Sequence, residues 1–261
     1  MALPVLVINR AVDTARLTAF RASVGGFGIE PVRIDAVDAH AADFSFHDYR
    51  DLLRERFWDS DRIKPGAFGC FLSHRRAWRH VVETGAEMAL ICEDDADIIG
   101  LPDQVEQFTE AVPDADVIFA NGRMAAWCRA GPAGGAKPLP RVITDLARLG
   151  GPRELGLKPS PGGDCYLVTL KGAKALLERT ARQGVVCGVD WAMVWNGSGS
   201  VDASAAAAFP ELEILARTMK PVQPLKMFAL REPVADQRGG ASVIRHSVTV
   251  PIAELRRIHS P

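Results

Sequence analysis

The chain has 261 residues, 48% of them hydrophobic, with 31 basic and 32 acidic residues and a formal net charge of −1. That length suits one α/β domain with a full core, and the balanced charge gives no ground for nucleic acid as a partner. The five cysteines (Cys70, Cys92, Cys128, Cys165 and Cys187) are widely spaced with no CxxC, so they read as reduced, buried thiols and not as a zinc or redox motif.

The opening "MALPVLVINR" has no basic n-region and its apolar run is too short for a signal h-region, so no secretory leader is expected. No later run is long enough for a membrane-spanning helix. "LPVLVI" (3–8) reads as a buried strand of a parallel sheet. "VDTARLTAFRASVGG" (12–26) follows as a helix, with Asp13 or Thr14 as its N-cap and a glycine pair as its stop. "PVRIDAVDA" (31–39) is a second strand. This β-α-β order predicts a doubly wound α/β sheet, mainly parallel, with helices on both faces. Residues 46–57 carry helical spacing, and 64–85 do so more strongly through Phe68, Phe71, Leu72, Trp78, Val81 and Val82. "EMALIC" (87–92) is the next strand, 101–112 a helix, and "DVIFAN" (116–121) another strand. From 129 to 161 glycine and proline are dense, which predicts an irregular flap or insertion. After it come "DCYLVTL" (164–170) as a strand, 171–184 as a helix ending at Gly184, a loop into the apolar segment 188–195, and a strand in "PLKMFALREP". No repeat or linker is evident, so residues 1–261 read as one domain.

The stretch "ALICEDDAD" (89–97) runs an apolar strand into four acids. Carboxylates resist burial and repel one another, so the turn is either solvated or neutralised by a cation. In extended chain Glu93 and Asp95 share a face, as do Asp95 and Asp97. Acid-x-acid at the carboxyl edge of an α/β sheet stands where such folds bind ligands. Converging carboxylates there make a hard-oxygen site suited to Mn²⁺ or Mg²⁺.

"KPGAFGCFLSHRRAWRHVVETGAEMALICEDDADI" (64–98) resembles the core of glycosyltransferase family 25, the lipopolysaccharide-type galactosyltransferases and their relatives. The residues that carry the likeness are Gly66, Gly69, Cys70, Leu72, Ser73, His74 and Trp78, then Glu93, Asp94 and Asp95. "VLVINRAVDTARLTAF" with "RIDAVDA", and "GGDCYLVTLKGAKALLE" with "VDWAM", resemble its opening and later blocks, so the likeness touches most of the chain from residue 3 to about 195. The chain departs from the pattern at Arg10, where leucine is usual, and at Asp164 and Cys165 beside Tyr166.

The resemblance implies a GT-A type fold and a metal-dependent, inverting transfer of a sugar, galactose by the family's habit, from a UDP-sugar to a glycan or glycolipid acceptor. A lipopolysaccharide precursor, handled in the cytoplasm or at the cytoplasmic face of the inner membrane, would be such an acceptor. Glu93 and Asp95 would hold Mn²⁺ or Mg²⁺, with Asp97 as the alternative ligand and His246 completing the shell. Asp94 would face the interior or a basic neighbour on the donor side. Asn9, Arg16 and Asp38, at the ends of the first two strands, would meet the nucleotide, with Arg16 reaching a phosphate or pairing with an acid. Ser73 and His74 would lie near the donor or brace the acidic strand; His74 and Trp78 share a helix face. Tyr166 and Trp191 would contact the acceptor. Asp190 is the candidate base for the acceptor hydroxyl, or else the N-cap of the segment after it. A catalytically silent sugar- or nucleotide-binding relative is the alternative. A magnesium phosphotransferase would need a glycine-rich phosphate loop that the sequence lacks.

Overall fold

The structure is a computed structural model, and it describes residues 3–58, 60–100, 110, 112–129, 143–145, 161–198, 210–219, 222–230, 232–238 and 248–257. Its first strand, β1 (Val5–Asn9), leads through helix α1 (Thr14–Gly25) to β2 (Val32–Asp35). A two-residue strand, β3 (Arg62–Ile63), precedes the long helix α2 (Pro65–Thr84), which returns the chain to β4 (Met88–Glu93) and then β5 (Ala96–Ile98). Next come β6 (Val117–Phe119), α3 (Gly122–Arg129), β7 (Ile143–Asp145) and β8 (Cys165–Thr169). Helices α4 (Leu170–Gln183), α5 (Val189–Ser198) and α6 (Pro210–Thr218) follow. The last elements are β9 (Met227–Leu230), β10 (Ala235–Gln237), β11 (Val250–Pro251) and α7 (Ile252–Arg257).

Among the described residues seven strands form one sheet in the order β2-β1-β4-β8-β6-β9-β7. Five run in one direction, while β8 and β7 run against them. The central strands β1, β4, β8 and β6 are buried on both faces because they are apolar at nearly every position, and successive side chains pass to opposite faces. Leu6, Ile8, Ala89, Ile91, Tyr166 and Val168 join Phe68, Leu72 and Trp78 of α2 on one side. Val5, Val7, Leu90, Cys92, Cys165 and Leu167 join Phe20 and Val24 of α1 on the other. The two crossovers therefore lie on opposite faces. β1 continues through α1 to β2 on one flank, and the chain returns through α2 to β4 on the other. The carboxyl ends of β1 and β4, with Ile8 beside Glu93, thus border a topological switch point, where sheets of this type leave a crevice.

Helix α2 is positioned by close backbone approach. Pro65 opens it at a position where no amide hydrogen is needed. A Cβ on Gly69 would come within 2.5 Å of the Val37 carbonyl oxygen and 3.1 Å of the Ala39 nitrogen. Ser73, one turn on, accepts a hydrogen bond from the Val37 amide and donates to the Gly69 carbonyl. The loop after β2 is in this way pressed onto α2 with no side chain between them.

Three expectations change. Residues 46–57 form only a 3-10 turn at Phe46–Tyr49. Beyond it the backbone bonds elsewhere, Leu52 accepting from Val185 and Phe57 exchanging with Ser60, so tertiary partners replace helical ones. The apolar segment after 188 is the helix α5. Within 129–161, residues 143–145 are a strand that pairs antiparallel with β9 at the sheet's edge. The rest of that segment except Arg129 and Pro161, and nearly all of 101–112, lie outside the described residues.

Replacing Gly69 with alanine tests the α2 contact. The methyl group would push against backbone, not a flexible side chain, so Gly69→Ala is expected to cost about 1–3 kcal/mol. Urea denaturation of the two proteins reads the difference, and an unchanged midpoint would refute the close approach.

Candidate functional site

Strand β4 ends at Glu93, and Asp94 and Asp95 sit in the tight turn between β4 and β5. The turn replaces the extended alternation expected from sequence and sends the three carboxylates three ways. Glu93 keeps the strand's alternation with Ile91 and emerges on the α2 side, where its Oε1 lies 3.3 Å from Nε2 of His74. Asp94 turns back to β1, accepting from Nδ2 of Asn9 at 2.7 Å and pairing with Nε of Arg16 at 3.1 Å. Asp95 takes the other arm of Arg16 at 2.9 Å and the side-chain amide of Gln237 at 3.1 Å. Asp97 lies on β5, which pairs antiparallel with β10, and binds Arg238.

The turn's three carboxylates line a cleft, open to solvent at its mouth, at the carboxyl ends of β1 and β4. Asn9, Arg16, Asp38, Ser73, His74, Glu93, Asp94 and Asp95 all border it, together with Arg10, Asp13, Gly66 and Cys70. Arg10 holds Asp13 at 2.7 Å and Asp38 at 3.0 Å. Ser73 borders the cleft but spends its hydroxyl on backbone, so it braces α2 against the loop.

A second acidic group stands beside the first. Asp164 precedes β8 and is wholly buried, its Oδ1 accepting from Nε and Nη2 of Arg123 at 3.1 and 2.6 Å. Asp190 lies in the first turn of α5, half-buried, and is not the helix cap. A Cβ on Gly163 would fall 2.6 Å from its Oδ1 and 3.6 Å from Cε1 of His74; one on Gly162 would strike Asp164 and Arg123. The two glycines let this loop pass between the carboxylates. Asn121 fixes the loop by donating to the carbonyls of Gly162 and Cys165.

Crowding shifts the acids apart. Burial raises Asp95 to about 6, helped by the charge of Glu93 and opposed by Arg16. Burial raises Asp190 to about 7, with Arg123 opposing it and Glu93 adding to it. Burial also raises Asp94 and Asp164 against their partners Asn9, Arg16 and Arg123. Glu93 moves the other way. Burial would lift it, but the hydrogen bond from His74, the charge His74 carries when protonated, and the charges of Arg123 and Arg16 outweigh that effect. Burial and the surrounding acids push the Cys70 thiol well above its ordinary value.

A hard cation suits this donor set. Oδ1 of Asp95 and Oδ2 of Asp164 are buried with no hydrogen-bond partner among the described residues. An orphaned carboxylate oxygen is costly unless something positive meets it. Cys70, His74 and Glu93 bring ligand atoms within 4.8 Å of one another, but a thiol and an imidazole are not hard-cation donors.

One expected contact is corrected. Tyr166 cannot meet an acceptor, because it is 0% exposed beneath His74 and its hydroxyl is engaged by His74 and Trp78. Trp191, 9% exposed, packs edge-on against Trp58 with centroids 6.0 Å apart. His246 lies outside the described residues. Arg123, Gln237 and Arg238 were not found from sequence; they reach Asp164, Asp95 and Asp97 from distant segments without any spacing signal.

Residues 2–124 match the model of glycosyltransferase family 25, described as an LPS biosynthesis protein. No curated protein matches the chain. Among solved structures, the chain is similar to a glycosyltransferase involved in glycosylation of the major capsid of PBCV-1, at 8% identity and TM-score 0.38, covering 98% of this chain and 100% of that one. It is similar to the galactosyltransferase LgtC, solved with donor and acceptor sugar analogs, at 11% identity and TM-score 0.40, covering 99% and 97%. Mouse xyloside xylosyltransferase 1 gives 9% identity and TM-score 0.37, covering 87% and 96%.

The Arg123–Asp164 pair offers a test of the site's electrostatics. Removing one partner of a buried pair strands the other charge, which costs about 3–5 kcal/mol when both are fully buried. Because Arg123 is 30% exposed, Arg123→Met should cost less, on the order of 2 kcal/mol at neutral pH. Asp164 is already raised, so its proton is bound more tightly in the folded state and stability falls as pH rises. The penalty should therefore shrink in urea melts at lower pH. A pH-independent penalty would show that Asp164 is not left charged.

Proposed function

We propose that this chain is a metal-dependent, inverting glycosyltransferase of family 25. It would move a sugar, galactose in our reading, from a UDP-sugar to a hydroxyl of a glycan or glycolipid acceptor such as a lipopolysaccharide precursor. A GT-A type arrangement, a cytoplasmic location and peripheral contact with the inner membrane belong to the same reading. No helix of the described residues is long and apolar enough to cross a membrane. The observation that carries the proposal is the turn at 93–95: three carboxylates opening into the crevice between β1 and β4, with one oxygen of Asp95 buried and unpartnered. The family match over residues 2–124 includes this turn and the helix that backs it.

Glu93 and Asp95 would hold Mn²⁺ or Mg²⁺, which supplies charge neutralisation for a departing diphosphate. Arg16 keeps Asp94 and Asp95 in place and adds positive charge on the donor side. Asn9 and Asp38 stand at the edge where a nucleoside would lie. The acceptor oxygen attacks the anomeric carbon from the side opposite the diphosphate. The new C–O bond forms as the bond to the diphosphate breaks, and the acceptor proton passes to Asp190. A carboxylate raised to about 7 is well matched to that role near neutral pH.

Three measurements test this reading. Asp95→Asn keeps shape and removes charge, so it should abolish Mn²⁺-dependent UDP binding by calorimetry while the fold persists; unchanged affinity would refute the metal assignment. Asp190→Asn should lower transfer on the order of 10²–10⁴-fold with donor affinity retained, whereas a merely structural role predicts a small loss. The pH profile of wild-type transfer should rise through a midpoint near 7 as Asp190 loses its proton. A rate that is flat from pH 5 to 8 would exclude Asp190 as the base.

A further inference from the structure

Three buried side chains beneath the cleft form a chain of hydrogen bonds that ends on Glu93. Nε1 of Trp78 donates to the hydroxyl oxygen of Tyr166 at 2.8 Å, and that oxygen lies 2.9 Å from Nδ1 of His74. The other imidazole nitrogen, Nε2, lies 3.3 Å from Oε1 of Glu93. Trp78, Tyr166 and His74 are 1%, 0% and 0% exposed, so bulk solvent does not reach these groups. The rings are held by packing as well, His74 lying nearly parallel to Tyr166 at 24° and Phe119 closing the far side of the phenol.

Counting protons along this chain leaves one arrangement that satisfies every group. The indole nitrogen is only a donor, so it can only give to Tyr166. Tyr166 has one proton of its own, and among the described residues the one acceptor hydrogen-bonded to its hydroxyl is Nδ1 of His74. If Tyr166 gives that proton to the hydrogen bond, Nδ1 is bare and the imidazole proton sits on Nε2, pointing at Glu93. In the opposite tautomer, or in the imidazolium, Nδ1–H and the indole N–H both donate to the phenol oxygen. The phenol proton is then buried with no acceptor, and Nε2 of the neutral opposite tautomer faces a carboxylate, lone pair against lone pair. Leaving a buried donor unsatisfied is what folded proteins avoid.

We infer that Tyr166, itself oriented by Trp78, fixes His74 as the neutral Nε2–H tautomer, making His74 a dedicated hydrogen-bond donor to Glu93 and neither a metal ligand nor a base. Tyr166 and Trp78 are thus positioning residues. One oxygen of Glu93 is occupied by His74, which leaves the other for whatever enters the cleft. The approach of Cys70, His74 and Glu93 is not a soft-metal centre, because the nitrogen that would bind a metal carries the proton. The role given to Glu93 rests on the proposed function; the tautomer does not.

Long-range ¹H–¹⁵N correlation on the ¹⁵N-labelled full chain at pH 7 reads the tautomer directly, with His74→Gln used to assign its signals. The wild type should show a protonated Nε2 and a bare Nδ1. A protonated Nδ1, alone or with Nε2, would overturn the inference. Tyr166→Phe keeps the ring and deletes the proton, so His74 should shift to a mixture of tautomers; an unchanged pattern would also overturn it. Should Tyr166→Phe fail to fold, the wild-type spectrum alone decides. Co²⁺ titration of the wild type adds a second arm, with no thiolate-to-metal absorption expected and its appearance counting against the inference. A protein that shows the expected tautomer yet binds no UDP-sugar would refute the proposed function and leave this inference standing.

Discussion

Arg16 makes the acidic turn compatible with the fold. Two adjacent carboxylates, Asp94 and Asp95, are drawn out of water at the end of a buried strand, and the guanidinium reaches one with Nε and the other with Nη2. A lysine could supply the charge but not the two-pronged geometry. Because α1 carries Arg16 and the parallel β1–β4 pairing sets Asn9 beside the turn, the position of the acids depends on the first crossover. Everything bordering the cleft is then arranged around that anchored turn. The loop after β2 is pressed onto α2, α2 presents His74, and β8 supplies the tyrosine beneath it.

The site divides its carboxylates by environment. Glu93 is held ionised by a donated hydrogen bond and nearby cations, while burial, reinforced by the charge of Glu93, makes Asp190 hold its proton more readily. Environments that push titratable groups apart are how one pocket acquires both a fixed anion and a proton carrier. Arg123 stands between them, neutralising Asp164 and moderating Asp190.

Much of this was legible in the sequence where a local pattern carried it. The continuous apolar runs of β1, β4 and β8, the helical spacing of α2 and the acid run at 93–95 each state their structure in consecutive residues. Asn9, Asp38, Asp94 and Asp95 were readable because they follow the ends of the first strands, while Ser73 and His74 were marked by the family-like pattern of α2. Tyr166 misled for a physical reason: a tyrosine in an apolar strand can show its hydroxyl to solvent or spend it inside, and only the register against β4 and the position of Trp78 decide. The helix pattern at 46–57 failed because Leu52 found its backbone partner at Val185 and Phe57 turned back onto Ser60. Arg123 and Gln237 were invisible because nothing in their own neighbourhoods marks them.

The span of these contacts bears on how the chain acquires its site. Asn9 meets Asp94 across 85 positions, His74 meets Tyr166 across 92, and Asp95 meets Gln237 across 142. Contacts so remote pay for loop closure before they return anything, and they form late. During synthesis the strands around the acids are complete long before β8 and β10 emerge. The nascent amino-terminal half therefore carries Glu93 and Asp95 with His74 and Arg16 as their partners, and burying them is completed by β8 and β10. Folding rate and site assembly are in this way tied to the same few long-range pairs.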